Sequence, residues 1–226
     1  MNILVIGSGA REHAIVRAVK RSAKNKKIFC LGSNVNPGIA DLCADFTVAN
    51  INHKKTITNY ADKKAVDLAI IGPENPLAIG AADALWNIGV KVVGPMKDLA
   101  QIETSKAFAR DLLAEYNIPG SPKYKKFSSL GGVAEFLNEL GENYVVKFDG
   151  LAGGKGVRVS GDHLHSHDDA KDYCQELVEK GGVFVLEEKL IGQEFSLMSF
   201  CDGETLKHMP AVQDHKRAYD GDTGPN

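Results

Sequence analysis

Two lysines flank a glycine-rich stretch in Val146-Lys147-Phe148-Asp149-Gly150-Leu151-Ala152-Gly153-Gly154-Lys155-Gly156-Val157. Lys147 ends an apolar, β-rich run, and Lys155 falls inside a loop that carries Gly150, Gly153, Gly154 and Gly156. The lysines could bracket polyphosphate oxygens while the glycines let the backbone approach closely. The stretch is not a Walker loop. No Ser or Thr follows Lys155 to hold magnesium, and Asp149 stands where the first glycine of GxxxxGK belongs. A glycine-rich hairpin with solvated lysines would use the same residues. Glu187 and Glu188 close a second apolar run, Val183 to Leu186, and Glu194 follows Gly192. Acids placed so could accept hydrogen bonds from ribose hydroxyls and an adenine amino group.

A second group of candidates lies near the start. Gly7-Ser8-Gly9-Ala10-Arg11-Glu12-His13 follows an apolar strand and opens a helix, so its backbone N–H groups and the helix dipole could hold a phosphate. It is not a dinucleotide fingerprint. Glu12 replaces the third glycine, and Gly32-Ser33-Asn34 after the next strand offers no acid for a ribose 2'-hydroxyl. A tight strand-to-helix turn needs these glycines for backbone freedom alone. Gly72-Pro73-Glu74-Asn75-Pro76-Leu77 repeats the arrangement after another strand. Glu74 could orient a ligand hydroxyl or amine, or serve the helix dipole, with Asn75 as a possible cap. His163, His165 and His167 alternate beside Asp168 and Asp169, without the spacing of a known metal site. A solvated loop with an Asp or Ser helix cap accounts for them. Lys20, Arg21, Lys24, Lys26 and Lys27 read as a solvated helix end.

The elements that must position these residues alternate. Ile3 to Ile6, Ile28 to Leu31, Leu68 to Ile71 and Lys91 to Val93 read as strands separated by amphipathic segments, the pattern of a parallel sheet with crossover helices. Three of these strands run into glycine turns, at Gly7, Gly72 and Gly94, on the carboxyl edge where open α/β sheets bind ligands. A helical pattern extends from Asp98 to about Tyr116, until Ile118-Pro119-Gly120-Ser121-Pro122 breaks it. A small α+β module follows, with strands at Tyr144 to Phe148, Gly156 to Val159 and Val183 to Glu187, a helix over Asp169 to Lys180, and a further strand at Phe195 to Cys201. The last residues, Ala218 to Asn226, are polar and turn-rich, as in a chain cut in mid-loop.

The bulk properties exclude several classes. With 43% hydrophobic and 25% charged residues, the 226-residue chain is that of a globular protein and not of a disordered tail. A formal net charge of -2 supplies no global field for nucleic acid or an anionic membrane. Four widely spaced cysteines with no CxxC read as reduced thiols. No apolar run approaches the ~20 residues that span a bilayer, and no signal segment opens the chain, so a cytoplasmic protein is expected.

Six blocks occur in one order: Gly7 to His13, Gly72 to Leu77, Ser105 to Arg110, Lys147 to Val157, Glu187 to Ser196, and Gln213-Asp214-His215-Lys216-Arg217. In this the chain resembles the phosphoribosylamine-glycine ligase family of ATP-grasp enzymes over essentially its whole length. The resemblance implies an α/β fold, with a Rossmann-like parallel-sheet domain over residues 1–103 and an incomplete ATP-grasp α+β domain over 104–226. A small lid would occupy about 122–188.

It further implies that Lys106, Lys147 and the loop of Gly153, Gly154, Lys155 and Gly156 hold ATP phosphates. Glu187, Glu188 and Leu190 would line the adenine pocket, and Glu194 would take the ribose. Gly9, Arg11 and Glu74 would face 5-phosphoribosylamine, with Asp214 and Lys216 near glycine and the reacting phosphate. The family's magnesium or manganese ligands, a Glu and an Asn, lie in a later segment. No metal ligand is therefore expected among these residues, and turnover by them alone should be very poor. ATP, glycine and 5-phosphoribosylamine are the expected partners, with no nucleic acid or membrane, in a monomer or weak homodimer. Another ATP-grasp ligase of purine synthesis, a non-catalytic nucleotide-binding module and an NAD oxidoreductase are the competing readings.

Overall fold

The first strand is buried on both faces, and this sets the architecture around it. In the computed structural model, which describes all residues except Gly154, Asp214, His215, Lys216, Asp222 and Asn226, β1 (Asn2–Ile6) is the middle strand of five. With β2 (Lys27–Gly32), β3 (Asp45–Val48), β4 (Leu68–Ile71) and β5 (Lys91–Val93) it forms a sheet of order β3-β2-β1-β4-β5, every neighbouring pair parallel. The connections carry α1 (Ala10–Arg21), α2 (Pro37–Ala40), α3 (Lys54–Lys63), α4 (Glu74–Ala78) and α5 (Ala81–Trp86), and α6 (Lys97–Thr104) follows β5. Because successive strand side chains point to opposite faces, Leu4 and Ile6 enter one core with Ile57 and Leu85. Val5 enters another with Val16 and Ile39. This is a doubly wound α/β sheet, whose strand order turns back between β1 and β4.

A single residue, Ser105, separates α6 from α7 (Lys106–Glu115). The continuous helical pattern expected from Asp98 to Tyr116 is thus two helices. Ser105 adopts extended dihedrals, φ -132° and ψ 116°, and its hydroxyl oxygen accepts from the Phe108 N–H at 3.1 Å as the cap of α7. Beyond lie β6 (Tyr124–Phe127), α8 (Val133–Leu140), β7 (Tyr144–Phe148), β8 (Val157–Val159), α9 (His167–Glu179) and β9 (Phe184–Glu188). The four strands pair antiparallel in the order β6-β9-β7-β8. Helices α8 and α9 cover one face, where Tyr144, Val146, Phe184 and Leu186 pack with Phe136, Leu137, Tyr173 and Leu177. The pleat sends Val145, Lys147, Val185 and Glu187 to the opposite face.

These elements form one compact unit, Met1–Glu188, and Lys189–Asn226 forms another. The second contains a hairpin of β10 (Ser199–Cys201) and β11 (Leu206–His208), with Ser196 bridged to Val212. The strand expected over Phe195 to Cys201 is therefore shorter. Ile191, Phe195 and Phe200 are exposed. Among the described residues no helix is long and apolar enough to cross a membrane.

Candidate functional site

Lys147 and Glu187 meet because of strand register. Val145 is the direct partner of Glu187 across β7 and β9, and Lys147 is the partner of Val185, so Lys147 stands diagonally from Glu187 on the same face. That diagonal is within reach of long side chains. The Lys147 ammonium forms an ion pair with Glu187 Oε1. Helix α7 adds a second cation: Arg110 Nε donates to Glu187 Oε2 at 2.8 Å, and a terminal guanidinium nitrogen donates to Oε1 at 3.2 Å. Glu187 is 3% exposed. Burial alone would raise its pKa, but the hydrogen bonds from Arg110 and Lys147 outweigh that and hold it below the ordinary value. Both of its oxygens are thus engaged, one by Arg110 alone and the other by Arg110 and Lys147 together.

The same helix grips the glycine-rich loop. Ser105 Oγ donates to the Asp149 carboxylate, at 3.1 Å from either oxygen, and the Ala107 N–H donates to Asp149 Oδ1 at 3.2 Å. A carboxylate at a helix N-terminus is favoured by the unpaired N–H groups there. Lys106 Nζ donates to the Gly150 carbonyl at 3.0 Å. The loop joins adjacent antiparallel strands, with Lys147 paired to Val157. It closes through the Phe148 N–H to Gly156 O at 2.7 Å and the Lys155 N–H to Ala152 O at 3.0 Å. Gly156 is required for its size: a Cβ there would lie 2.9 Å from that of Ala152 and 3.1 Å from that of Phe148. Gly153 takes φ +55°, a left-handed conformation that favours glycine. Lys155 is exposed. Lys106, Lys147, Gly156 and Glu187 are thus gathered around one hairpin, with Lys106 and Lys147 both partly buried.

Other residues named from sequence fall elsewhere. The Glu188 carboxylate accepts the Lys123 N–H at 3.2 Å, closing the end of β9. Leu190, 62% exposed, and Glu194 belong to the second unit. Gly154, Asp214 and Lys216 lie outside the described residues. Ser105, Arg110 and Asp149 fall within blocks quoted from the sequence but carry no assigned role there, and the structure ties them to the hairpin and to Glu187. No local signal marks Arg110, because its partner Glu187 lies 77 residues further along the chain.

At the carboxyl edge of the first sheet, Glu12 explains the departure from a three-glycine turn. It is 3% exposed, and its Oε2 accepts the Gly9 N–H at 2.7 Å. Arg11 Nε donates to Oε1 at 3.2 Å. A Cβ at Gly72 would sit 2.0 Å from Glu12 Oε1, and one at Gly7, where φ is +114°, would sit 2.8 Å from Glu12 Cγ and Cδ. Glu12 therefore fills the space between the ends of β1 and β4. Since it already binds the Gly9 N–H, a phosphate there would have to displace a carboxylate. Beside it lies a cleft of about 360 Å³ lined in part by Ser8, Ser33, Asn34, Asn52 and Asn75, whose hydroxyls and amides suit sugar hydroxyls. Arg11 also reaches Glu74 Oε1 at 3.4 Å, a pair about half exposed. Asn75 is the second residue of α4 and not its cap: Pro73 precedes the helix.

The histidines are held locally. His163 Nδ1 accepts the Val159 N–H at 3.3 Å, and a His167 ring nitrogen lies 2.8 Å from Gly141 O. Ser166 caps α9 by accepting the Asp169 N–H, while Asp169 accepts the His165 N–H at 2.7 Å. Among the described residues no group of three His, Cys, Asp or Glu side chains could hold a metal ion.

Comparison with known proteins bears on both regions. The model of the phosphoribosylglycinamide synthetase N domain matches residues 1–103, and that of the phosphoribosylglycinamide synthetase ATP-grasp (A) domain matches residues 104–226. Two relatives called phosphoribosylamine-glycine ligase, from Methanosarcina barkeri and Methanosarcina acetivorans, are 49% and 50% identical over 226 residues. Each match covers 100% of this chain, and 52% and 51% of the respective relative. The chain thus spans about half the length of the curated relatives it matches. The crystal structure of phosphoribosylamine-glycine ligase from Thermotoga maritima superposes with a TM-score of 0.79 at 26% identity, over 100% of this chain and 53% of that one. An N5-carboxyaminoimidazole synthetase from Staphylococcus aureus, complexed with ADP, shares the fold, with a TM-score of 0.71 at 15% identity over 93% of this chain and 53% of that one.

Proposed function

The chain belongs to the phosphoribosylglycinamide synthetase family, and on that premise we propose that it carries the nucleotide-phosphate site of an ATP-dependent ligase that joins glycine to 5-phosphoribosylamine. The observation that supports this most directly is the gathering of Lys106 and Lys147 on a glycine-rich hairpin, tied down by one helix. In the proposed reaction a glycine carboxylate oxygen bonds to the γ-phosphorus of ATP as the bond to ADP breaks, leaving glycyl phosphate. The amine of 5-phosphoribosylamine then attacks the acyl carbon, phosphate departs, the nitrogen loses a proton, and glycinamide ribonucleotide results.

Such transfers depend on positioning and charge neutralisation, with little covalent work for the protein. Lys106 and Lys147 would neutralise phosphate oxygens, and backbone N–H groups of the loop over Gly153, Gly154, Lys155 and Gly156 would line them. Glu188 would border the base. The polar cleft beside Gly9, with Arg11 and Glu74, would take 5-phosphoribosylamine through its hydroxyls. Asp214 and Lys216 would stand near glycine. Mg2+ or Mn2+, when bound, would supply further charge neutralisation at the phosphates. The domain division at residue 103, a lid over about 122–188 and a place in the cytoplasm belong to the same reading.

The likeness in fold to an N5-carboxyaminoimidazole synthetase gives a second ligase reading some weight. Calorimetric titration of this chain with ATP, wild type beside Lys147→Ala, tests the nucleotide site. Removal of one charge-assisted phosphate contact should weaken binding about tenfold or more. Equal affinity in the two proteins would sink the reading. In a full-length protein carrying this segment, ADP release that depends on glycine, and not on bicarbonate, separates the two ligases.

A further inference from the structure

Arg110 has no part in the roles assigned above, yet it makes a two-point contact at the centre of the site. Its guanidinium holds both oxygens of Glu187, at 2.8 and 3.2 Å, while the Lys147 ammonium meets one of the same oxygens. The carboxylate is 4% exposed along its side chain, and each cation 23%. One buried negative charge therefore faces two positive ones, where solvent screening is reduced.

We infer that Arg110 is a positioning residue for Lys147: by gripping Glu187 at two points it fixes the anchor of the lysine and leaves one uncompensated positive charge for the nucleotide phosphates. Without Arg110 the carboxylate would neutralise Lys147 alone, and an incoming phosphate would compete with a buried acid for a single ammonium. Helix geometry favours this division of labour. Lys106 and Arg110 stand one turn apart on α7, so one element serves both the loop, through Gly150, and the Glu187 anchor. A planar fork suits this role better than an ammonium, because it holds both oxygens and leaves Glu187 no freedom to turn. The inference rests on the reading of Lys147 as a phosphate ligand.

The test is calorimetric titration with ATP of wild type, Lys147→Ala, Arg110→Met, Arg110→Lys, Glu187→Gln and the double variant Arg110→Met with Glu187→Gln. Thermal melts check that each is folded. Arg110→Met should weaken ATP about tenfold, and Arg110→Lys should recover part of that loss. In the Glu187→Gln background the same Arg110→Met change should cost no more than about twofold, because the competing carboxylate is gone. An equal cost in both backgrounds would mean that Arg110 acts without Glu187, and the inference would fail. It would also fail, with the nucleotide reading intact, if Lys147→Ala weakens ATP and Arg110→Met does not. Should the double variant not fold, Arg110→Lys decides, since a lysine that binds ATP no better than methionine overturns the inference. An indifferent Lys147→Ala, or a wild type that binds no ATP, would remove the nucleotide reading first and this one with it.

Discussion

A carboxylate as buried as Glu187 stays ionised only because its two cations outweigh the cost of burial. Its folded pKa lies below its unfolded value, so its contribution to stability is present above the ordinary carboxylate range and is lost as pH falls through the folded value. Urea melts of wild type and Glu187→Gln should show this. The wild type should lose more stability than the variant between about pH 5 and pH 3, and parallel losses would contradict the pairing. The part proposed for Lys147 is legible in the sequence, because a lysine ending an apolar run beside a glycine-rich loop needs a reason. That of Arg110 is hidden, since an arginine in an amphipathic helix is ordinary until its partner, far along the chain, is known. Glu12 reads in sequence as an absent glycine; only packing reveals it as a filler.

At the scale of elements, Ser105 is the junction on which α7 depends. Its side chain caps the helix and donates to Asp149. Ser105→Ala should therefore cost about 1 kcal/mol in chemical denaturation through the lost cap, and Ser105→Asp should not rescue it, because a second carboxylate would face Asp149. Full rescue by aspartate would show that capping alone matters. The break at Ser105 is masked in the sequence because Leu99, Ile102, Phe108 and Leu112 keep the helical period across it. Strand β3 and strand β6, Tyr124-Lys125-Lys126-Phe127, go unread for another reason. They are short, β3 lies at an edge, and β6 carries two consecutive exposed lysines, so neither shows a clean apolar run. Strands β4, β5 and β7 are legible to the residue because each is an apolar run closed by a turn or a polar residue.

Over the whole chain, alternation of strand and helix is a local signal, and it announces the doubly wound sheet well before any contact is known. The order β3-β2-β1-β4-β5 is not local. It depends on which faces find partners, as Leu4 and Val5 do in separate cores. The second sheet has its own core, with Phe184 fully buried and stacked on Phe127 at a centroid distance of 5.5 Å. Phe184→Ala should cost about 3–5 kcal/mol and, since β9 carries Glu187, should weaken ATP binding as well. A loss of stability without any loss of affinity would show that the site does not depend on that core.

Glu12 and the glycines around it also bear on how such a sequence can drift. Gly7 and Gly72 come from different strands, and both leave room that the Glu12 side chain occupies. Alanine at position 72 collides with the carboxylate. Glycine at position 12 leaves the Gly9 N–H unpaired and a void against β4. Either step taken alone lowers fitness through stability, so these positions are bound to change together or to stay. The first turn of this chain is separated from a dinucleotide-binding turn by one letter in the sequence, and by a valley that no single substitution crosses cheaply.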